Sequence, residues 1–162
     1  MRSLLVLLLA LVFVGGATAA SFSFAVTTVS PVTVATVTLN GVDQTKTFSI
    51  ADTVAYTGGS NNAGWNVQAS ATTPTSGSNT LPALKVTAGT AVCQGTCATA
   101  PTSSVTYPPI VLSTTAVRVF NAATTTGQGT FTVTNTFQVT YPANIYPGTY
   151  VSTVTLTGST GP

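Results

Sequence analysis

The stretch "GTFTVTNTFQVTY", residues 129–141, decides the fold class of this chain. Phe131, Val133, Phe137, Val139 and Tyr141 fall at alternate positions, and only Asn135 interrupts the apolar series. A period of two lays these side chains on one face of a β-strand and the threonines between them on the other. Working outward, "SFSFAV" (21–26) aligns Phe22, Phe24 and Val26, and "WNVQASA" (65–71) aligns Trp65, Val67 and Ala69. "AVRVF" (116–120) and "TYVSTVTL" (149–156) read as further strands. Asn40-Gly41 reads as a two-residue hairpin turn leading into "VDQTKTFSI" (42–50). Gly, Asn, Ser and Pro clusters separate the strands, and the Pro- and Ser-rich middle, residues 72–104, reads as loops. The expected fold is all-β: a single antiparallel β-sandwich, Ig-like or Greek-key, of about seven to nine strands.

Composition narrows the class further. Charged residues make up 4% of the chain and histidine is missing. Threonine supplies about one residue in five, which suits a pleated, half-buried surface. The beginning of the chain has the pattern of a secretory signal. Arg2 precedes the apolar run Leu4–Val14, and Ala17-Thr18-Ala19 offers small residues for cleavage before Ala20. Residues 1–19 are therefore expected to be removed, leaving an N-terminal strand segment at 20–38 and the sandwich at 39–162. The product is expected to be secreted and cell-surface associated, with no membrane attachment after cleavage.

Only Asp43, Lys46, Asp52, Lys85 and Arg118 are then charged, too few for the basic stripe that nucleic acid requires. Cys93 and Cys97 are the only cysteines. In an exported chain they are expected to form a disulfide that pins a small loop. Two thiols without histidine do not complete a zinc shell, so no metal or other cofactor is expected. Catalytic triads built on histidine are excluded. Asp43 and Asp52 are the only carboxyl side chains, and both read as solvated residues beside turns or strand ends. A Lys–Asn isopeptide cross-link would need Lys46 or Lys85 buried beside one of them. The chain does not read as an enzyme.

Three stretches, in order, carry a resemblance: "VTLNGVDQTKTFSI" (37–50), "VAYTGGSNNAGWNVQASA" (54–71) and "RVFNAATTTGQGTFTVTNTFQVTYPANIYPGTYVSTVTLTGSTGP" (118–162). Together they resemble the WxL-type cell-surface domain of Gram-positive bacteria. The resemblance implies a β-sandwich held non-covalently at the cell wall, with peptidoglycan as partner. Of that family's two Trp motifs, Trp65-Asn66-Val67 stands for the first. Leu156-Thr157-Gly158 takes the place of the second, whose Trp is missing, so the chain is WxL-like.

Function is expected to be structural: an extracellular filament or surface coat of identical subunits. Phe22, Phe24, Val26, Val32 and Val34 would form the assembly strand, pairing either in its own sheet or in a neighbour's. The alternative is peptidoglycan or surface-glycan contact through Trp65, Tyr141, Tyr146 and Tyr150, as a wall-binding protein or an adhesin domain. Thr72, Thr73, Thr75, Thr99 and Thr102, in Pro-containing Ser/Thr-rich loops, are candidates for O-linked sugar.

Overall fold

The long strand read first from the sequence forms the middle of the molecule. In the computed structural model, which describes residues 20–26, 37–59 and 62–162, it spans Gly129–Tyr141 and is named β9 in chain order. Its even-numbered residues face outward, while Phe131, Val133, Asn135, Phe137 and Val139 are buried.

Ten strands are present among the described residues: β1 (Phe22–Val26), β2 (Gln44–Tyr56), β3 (Trp65–Ala71), β4 (Thr75–Ser76), β5 (Asn79–Thr80), β6 (Lys85–Cys93), β7 (Ile110–Val111), β8 (Val117–Ala122), β9, and β10 (Val154–Thr160). All pairings are antiparallel, and no helix occurs among the described residues. A curled five-stranded sheet, β1-β2-β9-β6-β7, packs against a three-stranded sheet, β10-β3-β8, and β4-β5 form a small hairpin. The all-β sandwich expected from the alternation is what the chain forms. Strand number exceeds expectation because β4, β5 and β7 are two-residue pairs, too short for a periodicity to register.

Both faces of the larger sheet follow from the pleat. Thr45, Thr47, Ser49 and Thr53 of β2 stand on the outer face opposite Thr140, Gln138, Thr136 and Thr132 of β9. Hydroxyls thus solvate this face, where a more highly charged chain would use Lys and Glu. The inner face meets the smaller sheet through Ile50, Val54, Tyr56, Trp65, Val67, Val86, Val119, Phe131 and Phe137, all buried. Burying an apolar side chain of this size contributes about 1.5–3 kcal/mol.

Three sequence expectations need correction. First, β2 does not stop at Ile50: it runs on to Tyr56, so Asp52 lies inside a strand and is fully buried, not solvated at a strand end. Second, the middle of the chain is not all loop. β6 lies between β9 and β7 in the larger sheet, its alternation obscured by a register shift between Val86 and Ala88. Gly89 replaces a core side chain there, and the Tyr107 ring fills the space instead. Third, residues 37–39, just before Asn40-Gly41, are not in a strand. The described partner of β2 on its outer edge is Phe22–Val26, along Asp52–Tyr56; the rest of the expected strand before the turn lies outside the described residues. That turn is closed locally, the Asn40 side-chain oxygen accepting from the Val42 amide and from the Gln44 side chain. The signal segment 1–19 lies outside the described residues, as do Val32 and Val34.

Candidate functional site

β1 joins the two sheets along one side of the sandwich. Its five residues pair with Asp52–Tyr56 of β2, from Phe22↔Tyr56 to Val26↔Asp52. Phe22 and Phe24 turn inward and are half-buried against the core, while Ser23 and Ala25 are exposed. β1 also packs against β10, the edge of the other sheet, with no ladder between them among the described residues. The close approach is made by the Phe24 ring over Gly158, where an added Cβ would stand 2.5 Å from the ring. Three hydrogen bonds fasten the start of the segment: Ser21 N to Thr57 Oγ1 (2.8 Å), Thr57 N to Ser21 O (3.1 Å), and one between the two hydroxyls (3.1 Å). A shallow hollow of about 200 Å³ sits at that end, lined in part by Ser21, Phe22, Tyr56 and Thr130.

Beneath this seam lies a polar pair that sequence reading did not find. Asp52 and Asn135 project from neighbouring strands into the core, both 0% exposed. Asn135 Nδ2 donates to Asp52 Oδ2 at 3.4 Å, a long contact, and Asp52 Oδ1 and Asn135 Oδ1 have no hydrogen-bond partner among the described residues. Burial pushes the Asp52 carboxyl up to about 7, against the smaller opposing effect of the Asn135 hydrogen bond. Neither lysine stands beside it. Lys46 shares its face of β2 but lies six residues away, roughly 20 Å along the strand. Lys85 pairs with Gln138, an outward position of β9. The arrangement needed for a Lys–Asn isopeptide is therefore not assembled at this carboxyl. The one available signal was Asn135 itself, the break in the alternation of β9.

Trp65 begins β3 and is fully buried. Its ring stacks on Phe120 at 5.8 Å and meets Phe131 at 6.3 Å, and its Nε1 donates to the Gly127 carbonyl at 2.9 Å. Gly127 has φ +71°, and a Cβ there would come within 2.6 Å of Nε1. As folded, Trp65 offers no face to a glycan. It fills one end of the core, and its only polar atom is satisfied.

The tyrosines lie at the other end, beside the finish of β9. Tyr141 is half-buried, and its hydroxyl is held above its usual range by burial. Tyr150 packs partly on the core and donates to the Tyr146 carbonyl at 2.9 Å. Tyr146 alone is widely exposed, at 68%. The Asp43 carboxylate, accepting from the Ala143 amide at 2.8 Å, ties the Asn40-Gly41 turn to this loop. The structure thus separates Trp65 from the three tyrosines by the length of β9.

Cys93 and Cys97 are disulfide-bonded, closing a loop over the start of β9, where Cys97 presses on Gly129. Among the sugar candidates, Thr72 and Thr99 are exposed, but their hydroxyls accept from the Thr153 and Gln128 amides. Thr75 is exposed and bridges to Val151 through its backbone. Thr73 and Thr102 are exposed, and no hydrogen bond engages their hydroxyls among the described residues. No cluster of metal-ligating side chains occurs among the described residues.

Comparison with family models, with curated proteins and with solved structures returned no match for this chain.

Proposed function

We propose that this chain is an exported structural subunit that assembles with copies of itself by β-strand addition, with the β1 segment as the exchanged strand. The observation that carries the proposal is how β1 is attached. Five backbone pairs at a sheet edge hold it, and residues 27–43 connect it to β2. Returning from the level of Asp52 to Gln44 spans eight residues of β2, roughly 27 Å. The seventeen connecting residues can reach about 56 Å or more when extended. The tether is thus about twice the length that pairing within one chain demands. A neighbour's β1 could take the same register on β2, with the same Phe24–Gly158 contact. Exchange would cost little beyond association, as in other domain swaps. Low charge supports the reading as well, since soluble monomers usually guard strand edges with charged side chains.

Ser23 and Ala55 are directly opposite on β1 and β2, at outward positions, and supply the test. A Ser23→Cys chain mixed with an Ala55→Cys chain should give a disulfide-linked heterodimer if pairing occurs between copies. The doubly substituted chain, oxidised within one molecule, should form no filaments by electron microscopy. Monomers at every concentration, with no heterodimer, would sink the proposal.

A second reading has its own observation. Tyr146 is widely exposed, in the loop that the Tyr150 hydroxyl and the Asp43 side chain fasten, and its ring is suited to stacking on a sugar ring such as those of peptidoglycan. This is the wall-binding alternative suggested by the WxL-like motifs, moved from Trp65 to the tyrosine loop. Loss of peptidoglycan pull-down in Tyr146→Ala, with wild-type stability, would favour it.

A further inference from the structure

We propose that Asp52 is a proton-operated latch on β1: with the proton on, the seam stays closed, and when the proton leaves, β1 lifts from β2 and becomes available for exchange. The proposal rests on the strand-exchange reading for its purpose, but its physical basis is independent of it. Asp52 is the residue of β2 that pairs with Val26, the last rung of the β1 ladder. The carboxyl points into the core between Ile50 and Val54, across from Val133, with all of them buried.

Two buried acceptor oxygens, Asp52 Oδ1 and Asn135 Oδ1, lie in this core without a donor among the described residues. An acceptor buried without a partner is unfavourable, and a buried carboxylate without a counter-charge is more so. One proton on Asp52 removes the charge and converts an acceptor into a donor. Without that proton, the carboxylate requires water.

The described strands offer a short route for water. β2 is second from the edge of its sheet, and among the described residues only the five-residue β1 lies outside it. β1 meets β10 by side-chain packing alone among the described residues, so lifting it opens the seam without breaking a second ladder. Opening through β9 would disrupt its thirteen-residue pairing with β2. Weakly attached edge elements are the ones that open locally in native proteins.

No other charged group competes for this role. β1 carries no titratable side chain, and neither do β3 and β10. On β2, Lys46 lies well along the strand, and Tyr56 donates to the Gly58 carbonyl. On β9 there is Tyr141, and beside β6 there is Tyr107, pushed up to about 12 by burial. Lys85 stands on the outer face of β6, and Arg118 of β8 is exposed and donates to the Pro162 carbonyl. Cleavage before Ala20 would add an amine at the far end of β1, which the Asp52 variant controls for.

The sign is fixed by linkage. The closed state holds its proton up to about pH 7, whereas the opened carboxyl has the ordinary acidity of an exposed aspartate. Between those values the opening equilibrium should rise up to about tenfold per pH unit, and above them it should level off.

Native-state hydrogen exchange on the mature, monomeric chain tests this, with rates corrected for the intrinsic pH dependence of exchange. Measurements at pH 4.5, 6 and 7.5 should show β1 amides losing protection as pH rises, at a lower opening cost than the β9 amides. In Asp52→Asn the β1 profile should be flat at the protected, acid level. Asp52→Leu serves the same purpose if the amide variant does not fold. The latch is overturned if β1 protection is independent of pH while β9 protection falls, because Asp52 would then ionise only on global unfolding. It is also overturned if β1 and β9 amides are equally protected at each pH, or if the Asp52 variants keep the pH dependence. Exchange reads opening within a single chain. A positive result there, with no disulfide-linked heterodimer from the Ser23→Cys and Ala55→Cys chains, would therefore remove the assembly reading and leave the latch standing.

Discussion

Trp65 and Asp52 are both polar-capable residues with no exposed surface, and they sit in the same core under opposite terms. Trp65 brings one donor and meets one acceptor, the Gly127 carbonyl, with two aromatic rings completing the packing. Asp52 meets one long hydrogen bond and, among the described residues, leaves an oxygen unpartnered. The first is a plug whose removal leaves a hole. The second is a cost held in the fold, sited under the five-residue edge strand β1. The Trp65 donor is therefore satisfied, whereas the Asp52–Asn135 pair is left short of donors beside the edge that the proposed assembly requires to move.

The plug should give the largest effect. Trp65→Ala should destabilise the domain by roughly 3–5 kcal/mol, read as a lowered denaturant midpoint. Trp65→Phe should cost less, about 1–3 kcal/mol, because most packing survives while the Gly127 carbonyl loses its donor. If Trp65→Ala unfolds at the wild-type midpoint, the plug description fails and the residue's burial has another cause.

Next comes the pH dependence of global stability, where the sign follows from the raised carboxyl. Between about pH 4 and pH 7 the folded state holds a proton that the unfolded state has released. Stability is therefore greatest below about pH 4 and falls as pH rises to about 7. It stays level above that, since both states are then ionised. A shift from 3.8 to about 7 corresponds to a loss of about 4 kcal/mol over that interval. Asp52→Asn should remove the slope, and Trp65→Ala should lower the whole curve without changing its shape. Denaturant titrations at pH 4, 5.5, 7 and 8.5 separate the two. A wild-type curve that climbs from pH 4 to pH 7 would contradict the unpaired burial of Asp52.

Why one of these residues was legible in the sequence and the other was not has a physical reason. Trp65 lies in phase with Val67 and Ala69, so its alternation placed it on the inner face with them. Asp52 is also in phase, with Ile50 and Val54, but a carboxyl beside a turn-rich segment reads as solvated because most aspartates are. Its burial depends on Asn135, distant in sequence, whose break in the β9 pattern was visible without its meaning. β6 escaped for a similar reason: a bulge shifts its phase, and Gly89 gives up its core volume to Tyr107, a residue from a later loop. The β1 alternation was readable, but which chain it pairs with is not a property of local pattern. Alternation fixes which face a residue takes; partners far along the chain decide whether that face suits it.

The disulfide belongs to the Trp65 end and should matter moderately. Cys97 lies against Gly129 at the start of β9, and the loop it closes hydrogen-bonds back through the Gln94 amide to the Thr130 carbonyl at 2.8 Å. Replacing both cysteines with serine should cost about 2 kcal/mol, the value expected for so short a loop. The loss should be independent of pH between 4 and 8, unlike that governed by Asp52. A pH-dependent loss would mean that this end of the sandwich is coupled to the seam, and the contrast between the two regions would weaken.

The smallest effect on stability should come from the tyrosine loop, and it bears most on function. Tyr146 is 68% exposed, and among the described residues its one hydrogen bond is through its backbone carbonyl, which accepts from the Tyr150 hydroxyl. Tyr146→Ala keeps that carbonyl, so stability should change by no more than about 0.5 kcal/mol. Tyr150→Phe removes the donor and should cost about 1 kcal/mol, since the carbonyl it leaves is open to water. An exposed aromatic that contributes nothing to folding is free to serve an interface. Assembly assayed by microscopy and wall binding assayed by pull-down then divide the two proposed uses of the molecule. If Tyr146→Ala forms filaments normally but no longer sediments with peptidoglycan, binding and building occupy opposite ends of one sandwich. If it loses filaments, the tyrosine loop is part of the contact between subunits, and the β1 seam is not sufficient for assembly.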